Sequence, residues 1–406
     1  MSVRLTRRRL LVAAGVALGG AATAGLEDVL GRGATPVALG SAPPGLPERQ
    51  HAWERTLPRD AHGNPIAPKH DRLLFFDTVE TPTHEGAARL EAVLRTLERT
   101  FHAGPDGLLF TIGWGPAYFA RIRRPSPIPP PEALSSFELP TLDRYAACLH
   151  LAADDERRLT DVEKALVHGR PLRSADGPLD LGTLLRWRET RTGFTGRGLP
   201  AAEQGVGGIP ANRPVPANAP LFMGFKSGYV RNQASEDDVT IRSGQFANGT
   251  TMHVSRMRLR LDSWYSLDQR ERIARMFAPQ VSARDVARFT TDAPSRPNLL
   301  EQAARRYGVV GHSQTSARAR RDGRPVILRR DFDTVDGGEA GLHFVCLQRT
   351  IQDFVETRRA MNAANAVYVN PAITATDNNG INEFIFVLNR ANYIVPPRSL
   401  RSFPLL

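Results

Sequence analysis

The chain has 406 residues, enough to bury one large core or two ordinary ones. Hydrophobic residues at 41% against 23% charged are the balance of a folded protein and exclude a disordered one. The net charge of +11 is carried almost wholly by arginine, but the arginines are spread along the chain and interleaved with acids, as in QDFVETRR and DQRERIARMF. That pattern argues against a nucleic-acid-binding face.

In chain order, residues 1–24 read as an export signal. A basic segment, Thr6-Arg7-Arg8-Arg9-Leu10-Leu11, precedes the apolar run Val12 to Ala22 and a small-residue site, Ala22-Thr23-Ala24. The apolar run is too short and too rich in glycine and alanine for a stable membrane span. No cysteine follows it, so no lipoprotein is expected. Residues 25–68, rich in glycine and proline, read as an extended arm.

Order is expected from Arg72-Leu73-Leu74-Phe75-Phe76. A helix with Leu90, Val93, Leu94, Leu97 and Phe101 on one face follows, then a strand from Leu108 to Trp114. Arg123 to Pro131 cannot hold a ladder. Tyr145 to Leu151 and Thr160 to Val167 give another strand and helix, the order of a ferredoxin-like unit. Residues 168–220 read as a long connection, which places a first domain at 69–220 and a second at 221–406.

The second half repeats the first in outline. Met257, Leu259 and Leu261 alternate with Arg256, Arg258 and Arg260, as on a half-buried strand. A helix is expected from Leu267 to Phe277, strands from Val326 to Arg330 and Gly341 to Gln348, then a helix with Ile351, Phe354 and Val355 on one side. Phe384 to Leu388 closes the sheet. The fold class is therefore α+β, with two ferredoxin-like halves of antiparallel sheet. The two cysteines, Cys148 and Cys346, sit in the apolar runs YAACLHL and LHFVCLQ and are expected as buried free thiols. Two are too few for a cysteine-built zinc or iron–sulfur site.

Several stretches in order, LLFTIGWGPAYF, GTTMHVSRMRLRLDSWYSL, PVILRRDFDT with GLHFVCLQRTIQDFV, and FIFVLNRANYIVPPRS, resemble the dye-decolourising (DyP-type) haem peroxidases. The resemblance runs from about Arg72 to the carboxyl terminus. It implies two ferredoxin-like halves of the dimeric α/β-barrel superfamily and one haem b per chain in the second half. It also implies hydrogen peroxide and a small-molecule reductant or dye as substrates, with homo-oligomerisation left open. The twin arginines before Leu10-Leu11 resemble a Tat signal. They imply passage through the Tat translocase to an extracellular, periplasmic or envelope location.

By position in the resemblance, His312 in GHSQ is the iron ligand, a role that suits a neutral imidazole. Asp353 is a candidate for the carboxylate behind its ring. Arg329, the first arginine of ILRR, corresponds to the arginine that polarises peroxide, with Arg330 pointing the other way on the strand. Leu342 and Phe344 match an apolar pair lining the haem pocket.

In Gly224-Phe225-Lys226-Ser227-Gly228, Ser227 stands where the family's Gly-x-x-Asp-Gly motif has its acid–base aspartate. The glycines, Gly224 and Gly228, preserve the turn, and Asn232 matches the asparagine that follows it, shifted by one position. A serine hydroxyl can hydrogen-bond peroxide but cannot shuttle a proton near neutral pH as a carboxylate does. Glu236, Asp237 and Asp238 could reach back, though a solvated acidic patch is the simpler reading.

Three readings follow. The first, preferred because His312 and Arg329 are both present, is an exported peroxidase relying on Arg329 and water. The second is haem storage, delivery or sensing with little turnover. The third is an exported binding protein with a degenerate pocket. Other chemistries lack their signatures: Gly205 to Gly208 has no P-loop Lys-Ser/Thr, and neither His-Glu-x-x-His nor Gly-x-Ser-x-Gly occurs. Trp187, Trp264 and Tyr265 could carry electrons from a buried haem, but packing explains each of them better.

Overall fold

The computed structural model describes residues 45–288 and 295–406. The signal expected over residues 1–24 and the first part of the arm lie outside the described residues.

Ten strands form one sheet: β1 (His70–Thr78), β2 (Leu109–Trp114), β3 (Thr141–Leu142), β4 (Ala147–Ala153), β5 (Leu185–Phe194), β6 (Thr250–Leu259), β7 (Ile327–Arg329), β8 (Phe332–Thr334), β9 (Gly341–Gln348) and β10 (Ile385–Val395). In the first half the spatial order is β2-β4-β1-β5, and in the second it is β8-β9-β6-β10, with β7 beside β9. Each is the antiparallel order of a ferredoxin-like unit. Three narrow pairings join the halves: Phe194 opposite Asp333, Ile394 opposite Trp114, and the short β3 lying parallel to β10 at Asn389 and Arg390. Together they close the sheet on itself, as a barrel does.

Period-two alternation sorts the side chains. On β1, Leu73 and Phe75 join Val254, Val345, Leu347 and Tyr393 in one cluster. Leu74 and Phe76 face the opposite way, onto the helices. Helix His84–Thr100 begins where Thr83 Oγ1 accepts from the Gly86 N–H, and it buries Leu90, Leu94 and Leu97 on β1, β2 and β4. Helix Glu156–His168 is capped by Asp155, ends at Gly169 in the left-handed conformation, and covers the same face with Leu159 and Val162. In the second half helix Ile351–Ala360, opened by a Thr350–Asp353 capping box, covers part of the corresponding face. The remainder of that face borders a large cavity.

Two expectations are corrected. Residues 168–220 are not a connection only: they contain β5, the fourth strand of the first half. Arg191 is fully buried on β5 and pairs with Asp143 and Glu189, while Trp187 is exposed, so the strand shows no apolar period. β10 runs seven residues beyond Leu388, through buried Arg390 and Asn392. A third point concerns the expected arm, whose Gln50, His51 and Trp53 are buried against the body. Both cysteines are free and buried. Among the described residues no helix is long and apolar enough to cross a membrane.

Candidate functional site

The cavity, about 1170 Å³ with its mouth, lies between the outer face of the second half-sheet, helix Ile351–Ala360 and the segments around residues 221–232, 276–277 and 312–316. The wall is mostly apolar, with Met223, Phe225, Met276, Phe277, Leu342 and Phe344 prominent. Into it project His312, Ser227, Asn232, Arg329, Asp331, Asp333, Arg358 and Arg390. The sequence-predicted His312, Arg329, Ser227, Asn232, Leu342 and Phe344 thus share one space, although they span 118 residues of chain from Ser227 to Phe344.

His312 opens the short helix His312–Ser316. Two neighbouring segments fix its backbone. Val310 bridges Asn379, and the Gly380 N–H donates to the Val310 carbonyl at 2.8 Å. Gly380 holds a left-handed φ of 58°, and a Cβ there would come within 2.9 Å of His312 Cα. The imidazole Nδ1 is buried without a hydrogen-bond partner. Burial, with the Arg329 and Arg358 charges adding, pushes the His312 pKa down to about 3. The ring is therefore neutral at physiological pH, with its lone pair free for a metal. Asp353 is not behind it: that carboxylate caps its own helix through Thr350 and pairs with Arg321 at 2.6 Å.

Arg329 ends β7. Its N–H meets Gln233 Oε1 at 2.6 Å, and its Nη2 donates to the Ser227 carbonyl at 2.6 Å and to Asn232 Oδ1 at 3.3 Å. Nε is buried and unpaired. Burial pulls the guanidinium pKa below its ordinary value, and the nearby Asp331 charge opposes that. Arg330 points away, stacked 3.9 Å over Trp53 with Nη2 on Glu236 at 3.0 Å. Glu236 also receives the Trp53 and Glu54 N–H groups, Asp237 pairs with Arg49, and Asp238 accepts from Ser235. None of these three acids reaches the cavity.

The turn carrying Ser227 is held from several sides. Gly224 has φ 83°, Asn232 Nδ2 donates to the Ser227 carbonyl at 3.3 Å, and Gly228 lies so close to Gln233 that a Cβ would sit 3.0 Å from Nε2. Trp264 Nε1 donates to the Met223 carbonyl and Tyr265 Oη to that of Phe222, so this aromatic pair anchors the cavity wall. Trp187 lies on the exposed surface of β5.

Sequence reasoning passed over Asp331 and Asp333 as cavity residues. With Arg329 they occupy alternate positions of one run, and all three line the cavity. Ser227 Oγ lies 3.5 Å from Asp331 Oδ1. Asp333 Oδ2 accepts from the Phe222 N–H at 2.7 Å. Burial holds its carboxyl well above the usual range, that hydrogen bond opposes the shift, and the Asp331 charge adds to it. On another wall, buried Glu138 joins Arg358 (Nε to Oε1, 2.8 Å) and Arg390 (Nη2 to Oε2, 2.8 Å).

The site offers one neutral imidazole, an arginine with an unused N–H and an apolar cleft. Among the described residues no group of three or more His, Cys, Asp or Glu could hold a metal ion. A haem would fit this donor set, since it would need only one protein ligand, which His312 could supply.

The model of a family of unknown function, DUF7405, matches residues 68–397. No curated protein matches the chain. Among solved structures, the DyP-type peroxidase from Cellulomonas bogoriensis is similar at 20% identity and a TM-score of 0.58, over 90% of this chain and 96% of that one. A DyP-type peroxidase from Streptomyces coelicolor gives 20% identity and a TM-score of 0.55, again over 90% and 96%. A DypB variant from Rhodococcus jostii RHA1, solved in complex with heme, gives 12% and 0.54 over 87% and 99%. At these identities the likeness shows the fold, which is DyP-like.

Proposed function

We propose that this chain, which belongs to the family of unknown function DUF7405, is an exported haem-binding protein of the peroxidase type that oxidises small reductants or dyes with hydrogen peroxide. The observation that carries this reading is that His312 and Arg329 line one largely apolar cavity, each with a buried nitrogen lacking a partner. The match of the fold to DyP-type peroxidases adds to it.

On this reading His312 holds the iron of one haem b, and Leu342 and Phe344 pack beside the ring. Arg358 and Arg390 bring positive charge to the cavity wall, where haem carboxylates could be balanced. When bound, the haem supplies the redox chemistry that splits peroxide. The chain's own residues set the conditions for it. Arg329, fixed through Nη2, holds its guanidinium charge at the cavity wall, where it would stabilise negative charge developing on a peroxide oxygen. Met223, Phe225 and Phe277 exclude water, which strengthens that interaction. Ser227 Oγ can donate one further hydrogen bond.

Export rests on the amino-terminal sequence, with the Tat translocase as the route. The serine in place of the motif aspartate favours a second reading, haem binding, storage or sensing with little turnover.

The test is the absorption spectrum of protein produced with ample haem, beside His312→Ala prepared in the same way. A Soret band lost or shifted in the variant supports haem ligation through His312. No band in either protein removes the haem reading and leaves a DyP-like exported binding protein.

A further inference from the structure

We propose that Asp331 is the acid–base group of this cavity, moving the proton of bound peroxide that Ser227 cannot move. The inference rests on the haem-peroxidase reading and assigns a missing role within it.

Asp331 follows Arg329 by two residues, on the side of the run that lines the cavity. Arg329 pairs with Cys346 and Phe332 with His343, so the register sets Asp331 opposite Phe344, itself a cavity residue. Its one hydrogen-bond contact among the described residues is the Ser227 hydroxyl, Oγ to Oδ1 at 3.5 Å. The carboxylate therefore sits beside the position where a motif aspartate would stand, displaced from the turn to the link between β7 and β8. Ser227, as the donor, orients it.

The other nearby acids are engaged or remote. Asp333 is tied to the Phe222 N–H at the seam between the halves. Glu236 is turned outward to Arg330 and the arm. Asp331 alone combines access to the cavity, an uncommitted oxygen and the neighbourhood of Arg329.

The step is a proton relay. An Asp331 carboxylate oxygen takes the proton from one oxygen of hydrogen peroxide and returns it to the other, which then leaves as water. When bound, a haem would supply the two electrons for O–O cleavage and take the second oxygen, and Asp331 would end as it began. Arg329 holds the charge while the proton is in transit. Carboxylate and guanidinium thus arrive two residues apart, Arg329 at the end of β7 and Asp331 in the short link to β8.

The experiment uses haem-loaded full chain, Asp331→Asn and the double variant Ser227→Asp/Asp331→Asn. Two quantities are read by stopped-flow on the Soret band, the rate of reaction with hydrogen peroxide and the association rate of cyanide. Hydrogen cyanide must also give up its proton to bind, so its association reports the base without any turnover. Asp331→Asn should keep the Soret band and melting temperature, slow both rates by about 100-fold or more, and lose the fall in rate at acid pH. Returning the carboxylate to the turn in the double variant should recover about tenfold. A single variant within about threefold of wild type in both rates overturns the role of Asp331 while the haem reading stands. Absence of a Soret band in the wild-type protein overturns both.

Discussion

Arg329 Nη2 donates to the backbone carbonyl of Ser227 at 2.6 Å, so the strand arginine and the glycine-flanked turn fix one another. Asn232 reinforces the contact, accepting from Arg329 and donating to the same carbonyl. The guanidinium is thereby fixed at the cavity wall before any ligand arrives. Such preorganisation makes a donor effective in a low-dielectric site.

Arg329→Ala should therefore show two separable losses. With the half-buried Ser227 carbonyl losing its charged donor and keeping only Asn232, the fold should lose about 1–3 kcal/mol in urea unfolding. Haem binding through His312 should persist, while reaction with peroxide falls by about 100-fold or more. Unchanged peroxide reactivity in a haem-loaded variant would remove Arg329 from the chemistry. Arg329→Lys should recover part of the stability but not the rate, since lysine lacks the planar fork.

The legible part of this site was the part carried by the family resemblance. It implied His312, Arg329, Ser227, Asn232, Leu342 and Phe344 as pocket residues, with strand alternation turning Arg330 the other way, and the structure brings those six to one cavity. Strand alternation, continued two and four residues past Arg329, points to Asp331 and Asp333. β5 escaped because its buried positions include Arg191, whose charge is balanced by acids distant in sequence. β10 looked short for the same reason, with Arg390 buried against Glu138. Asp353 misled because T-x-x-D before an apolar run is a helix cap, and the residue serves its own helix.

Gly380→Ala should disturb the cavity without touching it. The position has a left-handed φ of 58°, which costs an alanine about 1–2 kcal/mol. The new methyl would also press on His312 Cα and N, at 2.9 and 3.0 Å. The expected outcome is a lower melting temperature and weaker haem affinity by Soret titration, with the far-ultraviolet circular dichroism preserved. Wild-type haem affinity in this variant would show that the turn around residues 378–380 does not set the histidine.

Acid should release the arm through His51. Burial, helped by the Arg330 and Arg49 charges, lowers its pKa from 6.5 to about 3. The unfolded chain therefore takes up a proton first as pH falls, and stability present above pH 6.5 is lost progressively down to about pH 3. The slope is at most about 1.4 kcal/mol per pH unit from this group. In His51→Gln, whose amide can still reach Thr240 Oγ1, the unfolding midpoint of haem-free protein should vary less between pH 6.5 and 4. An unchanged pH dependence would assign the acid sensitivity to other groups.

Glu138→Gln tests the charged wall opposite in character to the apolar one. Glu138 is buried and bridges two buried arginines, Arg358 and Arg390. Burial raises its carboxyl pKa, but the two guanidinium charges outweigh that and hold it below the ordinary value. A neutral amide would keep the shape and leave two positive charges facing each other without compensation. Loss of one partner from a buried ionic group costs about 3–5 kcal/mol, so urea unfolding at neutral pH should shift by that order. A dianionic ligand at this wall would restore the missing negative charge. If haem carboxylates bind beside Arg358 and Arg390, loading the variant with haem should regain more stability than loading the wild type. Equal gains in the two proteins would place the carboxylates elsewhere.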